Sequence, residues 1–342
     1  MHTDITVLEN LVAVHLSVNI WSARRKLVPS DFDINNTGTN LPPEELASLG
    51  SKRVCNPVDL RVFGTLKSRA TTLLDRNGVR FLGGWALPED RIDEVQAELE
   101  NIASEFLREK AVFLDRYDDA VRDWIRTNPG WESIIANSVV SADYVRSRFG
   151  FAWQMFRVQT PAVRDDSPDS VVNTGLDDAV SGLGQTLFGE IAKAATETWY
   201  KSFMGKSEVT RKALSPLRTM YRKLTGLSFV EPRVTPVADL LSTAFSAVGK
   251  KGHIMGPTLV MLQGLVSLLR DPEALLAHAQ SMLDGRNPDD ILDGFRGLAS
   301  HVLPDQAELT DIQEEELCLQ DDDDLPMAPL PVGPQLDSLG LW

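Results

Sequence analysis

The chain has 342 residues, 43% hydrophobic and 24% charged, enough apolar material for one large or two ordinary globular domains. Cys55 and Cys318 are too few and too far apart for a disulfide framework or a thiolate zinc cage, so a reducing compartment is expected. The formal charge is −15, from 34 cations against 49 anions, but no Lys or Arg follows Arg296 and 11 carboxylates lie from Asp305 onward, which leaves the rest near balance and disfavours nonspecific duplex DNA binding by the whole surface.

From the N-terminus, no basic region precedes an apolar stretch, so neither a signal peptide nor a membrane span is predicted and a cytoplasmic protein is expected. Val12, Val14, Leu16, Val18 and Ile20 recur at period two and predict a half-buried strand with His15 facing solvent. Arg24-Arg25-Lys26 is a basic patch, and Pro29 to Pro43 reads as a long surface loop. Asn56 before Pro57 predicts a helix start, because Asn caps and Pro at the first helical position loses no hydrogen bond; the helix runs to Arg76 and stops at Asn77-Gly78. Residues 79–87 predict a second strand bent at Gly83-Gly84, and 149–155, with Phe149, Phe151, Trp153 and Met155 alternating, a third.

Between these strands, from residue 88 to about 127, Ile92, Val95, Leu99, Ile102, Phe106, Phe113, Tyr117, Val121 and Trp124 fall at helical spacing. A single helix of that length would span roughly 60 Å and is expected to project. Asn128-Pro129-Gly130 ends it, residues 131–148 form a shorter helix, and Pro161 to Pro168 is a polar linker. A second long helix is predicted from about 169 to 204, with Leu176, Val180, Leu183, Leu187, Ile191, Ala194 and Thr198 at spacings of three and four. Gly182, Gly184 and Gly189 interrupt it, each at a cost of ~1 kcal/mol, which a tight helix crossing would offset. Shorter helices follow at 208–224, 236–248, 256–269, 272–283 and 288–300, several opened by proline. Residues 303–342 carry five prolines and no sustained period, and are expected to be disordered until bound.

The expected fold is therefore mainly α with a small antiparallel β-sheet, an α+β class. Its parts are an α+β region over 1–160, a helical region over 169–302 and an acidic, Pro-rich tail over 303–342. The segments Ile92–Trp124 and Leu176–Thr198 are expected to pair like a coiled coil, within one chain or between two copies.

Catalytic signals are sparse. Gly205-Lys206-Ser207 has only the end of a phosphate-binding loop, with Tyr200 where glycine belongs, and reads as a helix end. Gly182-Leu-Gly184 follows no strand and lacks the third glycine of a dinucleotide turn. His2, His15, His253, His278 and His301 show no metal-ligand spacing, so no catalytic residue, metal or cofactor is assigned. Cys55 lies beside Lys52 and Arg53 but has no local partner, and reads as an inert thiol. The pairs Asp118-Asp119, Asp177-Asp178 and Asp289-Asp290 read as solvated helix residues.

Two regions point to partners instead. Asp321, Asp322, Asp323, Asp324, Leu325, Pro326 and Met327 resemble the acidic tip of bacterial single-stranded DNA-binding proteins, although here the element is internal and ends in Met327 rather than a chain-terminal aromatic residue. Leu336, Leu339, Leu341 and Trp342 make an apolar end that a groove would capture. Arg211, Lys212, Arg218, Arg222 and Lys223 form a basic helix near Trp199, Tyr200 and Tyr221, an alternative nucleic-acid contact ranked below a solvated face.

Asn56-Pro57, the run from Gly78 to Pro88, the long acidic helix after it, Trp124-Ile125, Pro129-Gly130-Trp131 and the run from Arg148 to Trp153 together resemble an uncharacterised bacterial domain-of-unknown-function family of phages, conjugative plasmids and integrative elements. The resemblance covers most of residues 1–300. It implies company rather than chemistry: genes of that family travel with a MoxR-type AAA+ ATPase and a von Willebrand factor A protein. A scaffold or adaptor in a bacterial or phage-infected cell is the function expected from it.

Overall fold

The computed structural model describes residues 7–28, 31, 49–159 and 170–302, without the side chains of 170–174 and 298–302. The fold is mainly α with a small antiparallel sheet. The described residues fall in one compact unit and include no helix long and apolar enough to cross a membrane.

Strand β1 (Leu11–Asn19) follows the alternation of its valines. Two short strands, β2 (Arg24–Lys26) and β3 (Ser51–Arg53), pair with each other, so the basic patch is one side of a small ladder. The Asn56 side chain accepts a hydrogen bond from the Val58 N–H at 3.0 Å and starts a 3-10 turn, Pro57–Leu60, that leads into helix α1 (Arg61–Asn77). Gly78 ends α1, and a Cβ there would sit 2.6 Å from the Ala86 carbonyl oxygen. The predicted second strand is two strands, β4 (Val79–Phe81) and β5 (Gly84–Pro88). The expected bend is a complete reversal, in which Leu82 and Gly83 both take positive φ, 45° and 76°, as a two-residue hairpin turn requires. With β6 (Gly150–Phe156) the sheet order is β4-β5-β1-β6, antiparallel throughout.

The sheet lies between two apolar cores, and its period of two shares its side chains between them. Val14, Trp85 and Leu87 enter the first core, whereas Leu11, Ala13's neighbour Ala86, Val79 and Phe81 enter or border the second. That is why β5 is buried along its whole length.

The first core is aromatic. Phe63 of α1 meets Phe149 at 4.5 Å and Phe106 at 5.1 Å between ring centroids, and Trp21 meets Tyr117 at 5.7 Å. The long helix differs from expectation in two ways. It breaks at Arg116 into α2 (Ile92–Asp115) and α3 (Tyr117–Arg126), which turns Tyr117 inward to donate its hydroxyl to the Val140 carbonyl at 2.9 Å. Nor does it project: Val95, Leu99, Ile102, Phe106 and Phe113 are buried against α1 and the sheet, because the apolar stripe finds cover along its length. Residues 131–148 form two short helices, α4 (Glu132–Ala136) and α5 (Ala142–Ser147), rather than one.

The second core is rich in leucine. Its first helix is divided at Gly182 into α6 (Ser170–Ser181) and α7 (Leu183–Thr198), and a π-helical turn, Trp199–Phe203, extends α7. A tight approach occurs at Gly184, where a Cβ would collide with the Glu231 side chain; Gly189 faces open space, and its predicted packing role does not hold. Then come α8 (Leu214–Gly226), α9 (Val234–Ala247), α10 (Gly256–Leu269), α11 (Pro272–Leu283) and α12 (Pro288–Val302). A ladder of β7 (Glu208–Val209) with β8 (Ile254–Met255) replaces the start of the helix expected at 208. The two long predicted helices do not pair: α2 packs on α1 in the first core and α7 packs on α8, α10 and β4 in the second. Equal spacing on two stripes had no information about which partner each would meet.

Candidate functional site

The two cores meet at a polar seam. Lys223, on the same side of α8 as buried Met220 and Leu224, is only 8% exposed, and burying an ammonium is costly unless its donors are used. They are: Lys223 Nζ donates to the Asp75 carbonyl oxygen at the end of α1 and to Glu190 Oε2 of α7, each at 2.6 Å. Glu190 Oε1 in turn accepts the Arg80 backbone N–H at 3.0 Å, satisfying a donor on the outer edge of β4. The Asp75 carboxylate accepts Trp85 Nε1 at 2.7 Å and pairs with the Arg80 guanidinium at 3.0 Å, while that guanidinium lies 4.0 Å over the Trp85 ring. Five residues from α1, β4, β5, α7 and α8 thus form one network that ties the cores together.

Beside this network opens a cleft of about 600 Å³. Arg76, Lys193, Lys201 and the hydroxyls of Ser202 and Ser215 line it. Lys201 pairs with Glu197 at 3.2 Å, whereas Arg76 and Lys193 have no ion pair or hydrogen bond among the described residues. A second hollow of about 190 Å³ shares Arg76, Thr219 and Lys223 with it and adds Arg91 and Arg222. The cleft wall is thus mixed: Asp75, Glu190 and Glu197 are already used by cations of the network or by Lys201, while Arg76 and Lys193, fixed on helices, are left to meet acidic groups. Among the described residues no group of three or more His, Cys, Asp or Glu is placed to hold a metal ion.

The basic helix predicted as a nucleic-acid contact does not form one surface. Lys223 is turned inward and its charge is used by Glu190, so it is removed from that set. Arg211 donates to the Gly249 carbonyl; Lys212, Arg218 and Arg222 are exposed, and only Arg222 reaches a seam hollow. Asp321 to Met327 and Leu336 to Trp342 lie outside the described residues. His15 is exposed on β1 and Gly205, with φ of 68°, follows the π-helical turn, both as expected. Cys55 is fully buried, and burial together with the Asp59 carboxylate pushes its thiol up to about 11, while Lys52 pairs with Asp31 instead of activating it.

Sequence reasoning missed Glu190, Asp75, Arg76, Arg80 and Lys193. Their only local signal was a lysine in register with the apolar stripe of Met220, Leu224 and Leu227; its partners are 33 and 148 positions away.

No curated protein and no solved structure matches the chain. Residues 8–271, well over half of the chain, match the model of a protein family described as Protein of unknown function (DUF3150). Since that match takes in the whole first core, most of the second and every residue of the seam network, the chain belongs to this family.

Proposed function

We propose that the chain is a non-enzymatic helical scaffold or adaptor of a mobile-element MoxR-type AAA+ ATPase system, with a von Willebrand factor A protein as a further partner. The acidic run Asp321 to Asp324 with Leu325, Pro326 and Met327, and the apolar end at Leu336, Leu339, Leu341 and Trp342, serve as docking elements in this reading. One observation carries it: an open cleft on the seam of two cores, with Arg76 and Lys193 unpaired among the described residues at its wall. Cations held on packed helices and not engaged by carboxylates favour an acidic partner surface, and they add encounter rate as well as specificity. The gene company implied by the family resemblance supplies the partner's identity.

The test is affinity co-purification from cells carrying the neighbouring genes. Full-length protein is compared with a version ending at Val302 and with the full-length double variant Arg76→Glu, Lys193→Glu. Recovery of the ATPase with the full-length chain, reduced in either altered form, supports the reading. Failure to recover the ATPase, together with an unchanged ATP hydrolysis rate when the purified proteins are mixed, overturns it. A DNA-transaction accessory is the second reading, favoured by Arg222, which makes no ion pair or hydrogen bond among the described residues and lies beside Arg76 along the seam. It requires salt-sensitive nucleic-acid binding that falls when Arg76, Lys193 and Arg222 are neutralised.

A further inference from the structure

The sheet has a gap inside it. Strand β1 pairs with β6 from Ala13 to Asn19 but with β5 only from Leu11 to Val14. The β4–β5 hairpin reverses at Leu82-Gly83, and at Gly84 the chain passes so close to the Val14 carbonyl that a Cβ would collide with it. Past that point, no strand lies along the β5 side of residues 15–19 among the described residues. Backbone donors and acceptors alternate in direction along an antiparallel strand, so part of this stretch directs its N–H and C=O groups into the gap.

The gap is a walled slot rather than a bare edge. A hollow of about 400 Å³ runs beside His15–Asn19, flanked by Lys67 and Thr71 of α1 and ended by Trp85 with Arg80. Its lining holds no carboxylate and two cations, of which Arg80 is paired with Asp75 and Lys67 makes no ion pair or hydrogen bond among the described residues. Leu16 and Val18 are half-buried on the helix side of the sheet, while His15, Ser17 and Asn19 face outward and are exposed.

We propose that this slot receives an extended acidic segment of a partner protein as an added strand on β1. Main-chain hydrogen bonds would supply affinity and alternate side chains the selectivity, as in strand addition generally. Five residues span about 17 Å at ~3.4 Å each. Side chains opposite Leu16 and Val18 fall on the helix side, where a glutamate covers those residues with its methylenes and brings its carboxylate to Lys67. The intervening side chains lie on the face of His15, Ser17 and Asn19, where polar residues suit solvent. The inference stands apart from the adaptor reading, since it requires a strand and not an ATPase.

The probe is a fluorescein-labelled peptide of alternating Glu and Thr, titrated by anisotropy against the full-length protein and followed by backbone hydrogen exchange. The expected result is slowed exchange at residues 15–19 and an affinity lowered at least about tenfold by N-methylating alternate peptide nitrogens or by Lys67→Glu. Lys67 is exposed and lies outside the seam cleft, so this variant leaves both the fold and the adaptor surface intact. Equal affinity for the N-methylated peptide, protection elsewhere than β1, or no binding at millimolar peptide would each overturn the proposal.

Discussion

The two cores solve the same problem with different materials. The first closes on rings: Phe63, Phe106, Phe113, Tyr117, Phe149 and Trp21 form a connected aromatic cluster over one face of the sheet. The second closes mostly on branched aliphatics from α7 to α12; Phe188 and Phe203 are buried among them without a ring partner among the described residues, and Tyr221 with Phe245 at 5.9 Å is a ring pair at its margin. Rings bury large areas and constrain each other's orientation, so few residues from distant segments suffice. Leucines interdigitate from any helix that presents them, so the second core needs many helices and little geometric exactness between side chains.

That contrast is sharpened most by Phe63→Ala. Phe63 is fully buried and touches three other rings, so truncation is expected to cost about 3–5 kcal/mol, with loss of the near-ultraviolet circular dichroism of the cluster. A Leu262→Ala change in the second core should fall at the lower end of about 2–5 kcal/mol, since neighbouring leucines can relax toward the void. Chemical denaturation of both variants checks the order.

Next comes the seam. Lys223→Met leaves Glu190 and the Asp75 carbonyl without their cation, and a loss of about 2 kcal/mol is expected because Glu190 keeps some solvent. If the network couples the cores, this variant should separate one unfolding transition into two, read by exchange of α2 and α10 amides. A single unchanged transition would show that the sheet alone couples them.

A pH titration separates the cores by chemistry. In the first core the Cys55 thiol is pushed up to about 11, by burial and then by Asp59, and burial also raises the Tyr117 phenol. The folded values lie above the unfolded ones, so the unfolded chain ionises first; the thiol's contribution is whole below about pH 8.5 and is lost as pH rises toward the folded value. A decline of about 2 kcal/mol is expected on that account, smaller in Cys55→Ala, as measured by urea midpoints at stepped pH.

The smallest effect is a gain. Gly189 lies within α7 with open space where a Cβ would go, so Gly189→Ala should stabilise by about 0.5–1 kcal/mol. Gly184→Ala, which meets Glu231, should not, and thermal melts of the pair test that difference.

Local chemistry made much of this legible in advance. Helices α9 to α12 begin and end within a few residues of expectation because Asp271, Pro272 and Pro288 mark their starts and Gly285 a stop. The break at Arg116 has no glycine or proline to announce it; it accompanies the contacts of Tyr117 with Trp21 and Val140, which come from distant segments. Pairing was hidden for a different reason, since α2 and α7 have stripes of the same period and only tertiary placement decides which surface covers each. The seam was least visible, because Asp75, Glu190 and Lys223 become neighbours only after three helices have packed.

The hairpin of residues 79–88 bears on how such a protein can be inherited. Val79, Phe81 and Ala86 belong to one core while Trp85 and Leu87 belong to the other, so ten residues must satisfy two neighbours at once. A recombinant that joined this hairpin to a second half from another gene would set a foreign leucine core against it, so the two halves are constrained to travel, and to change, together.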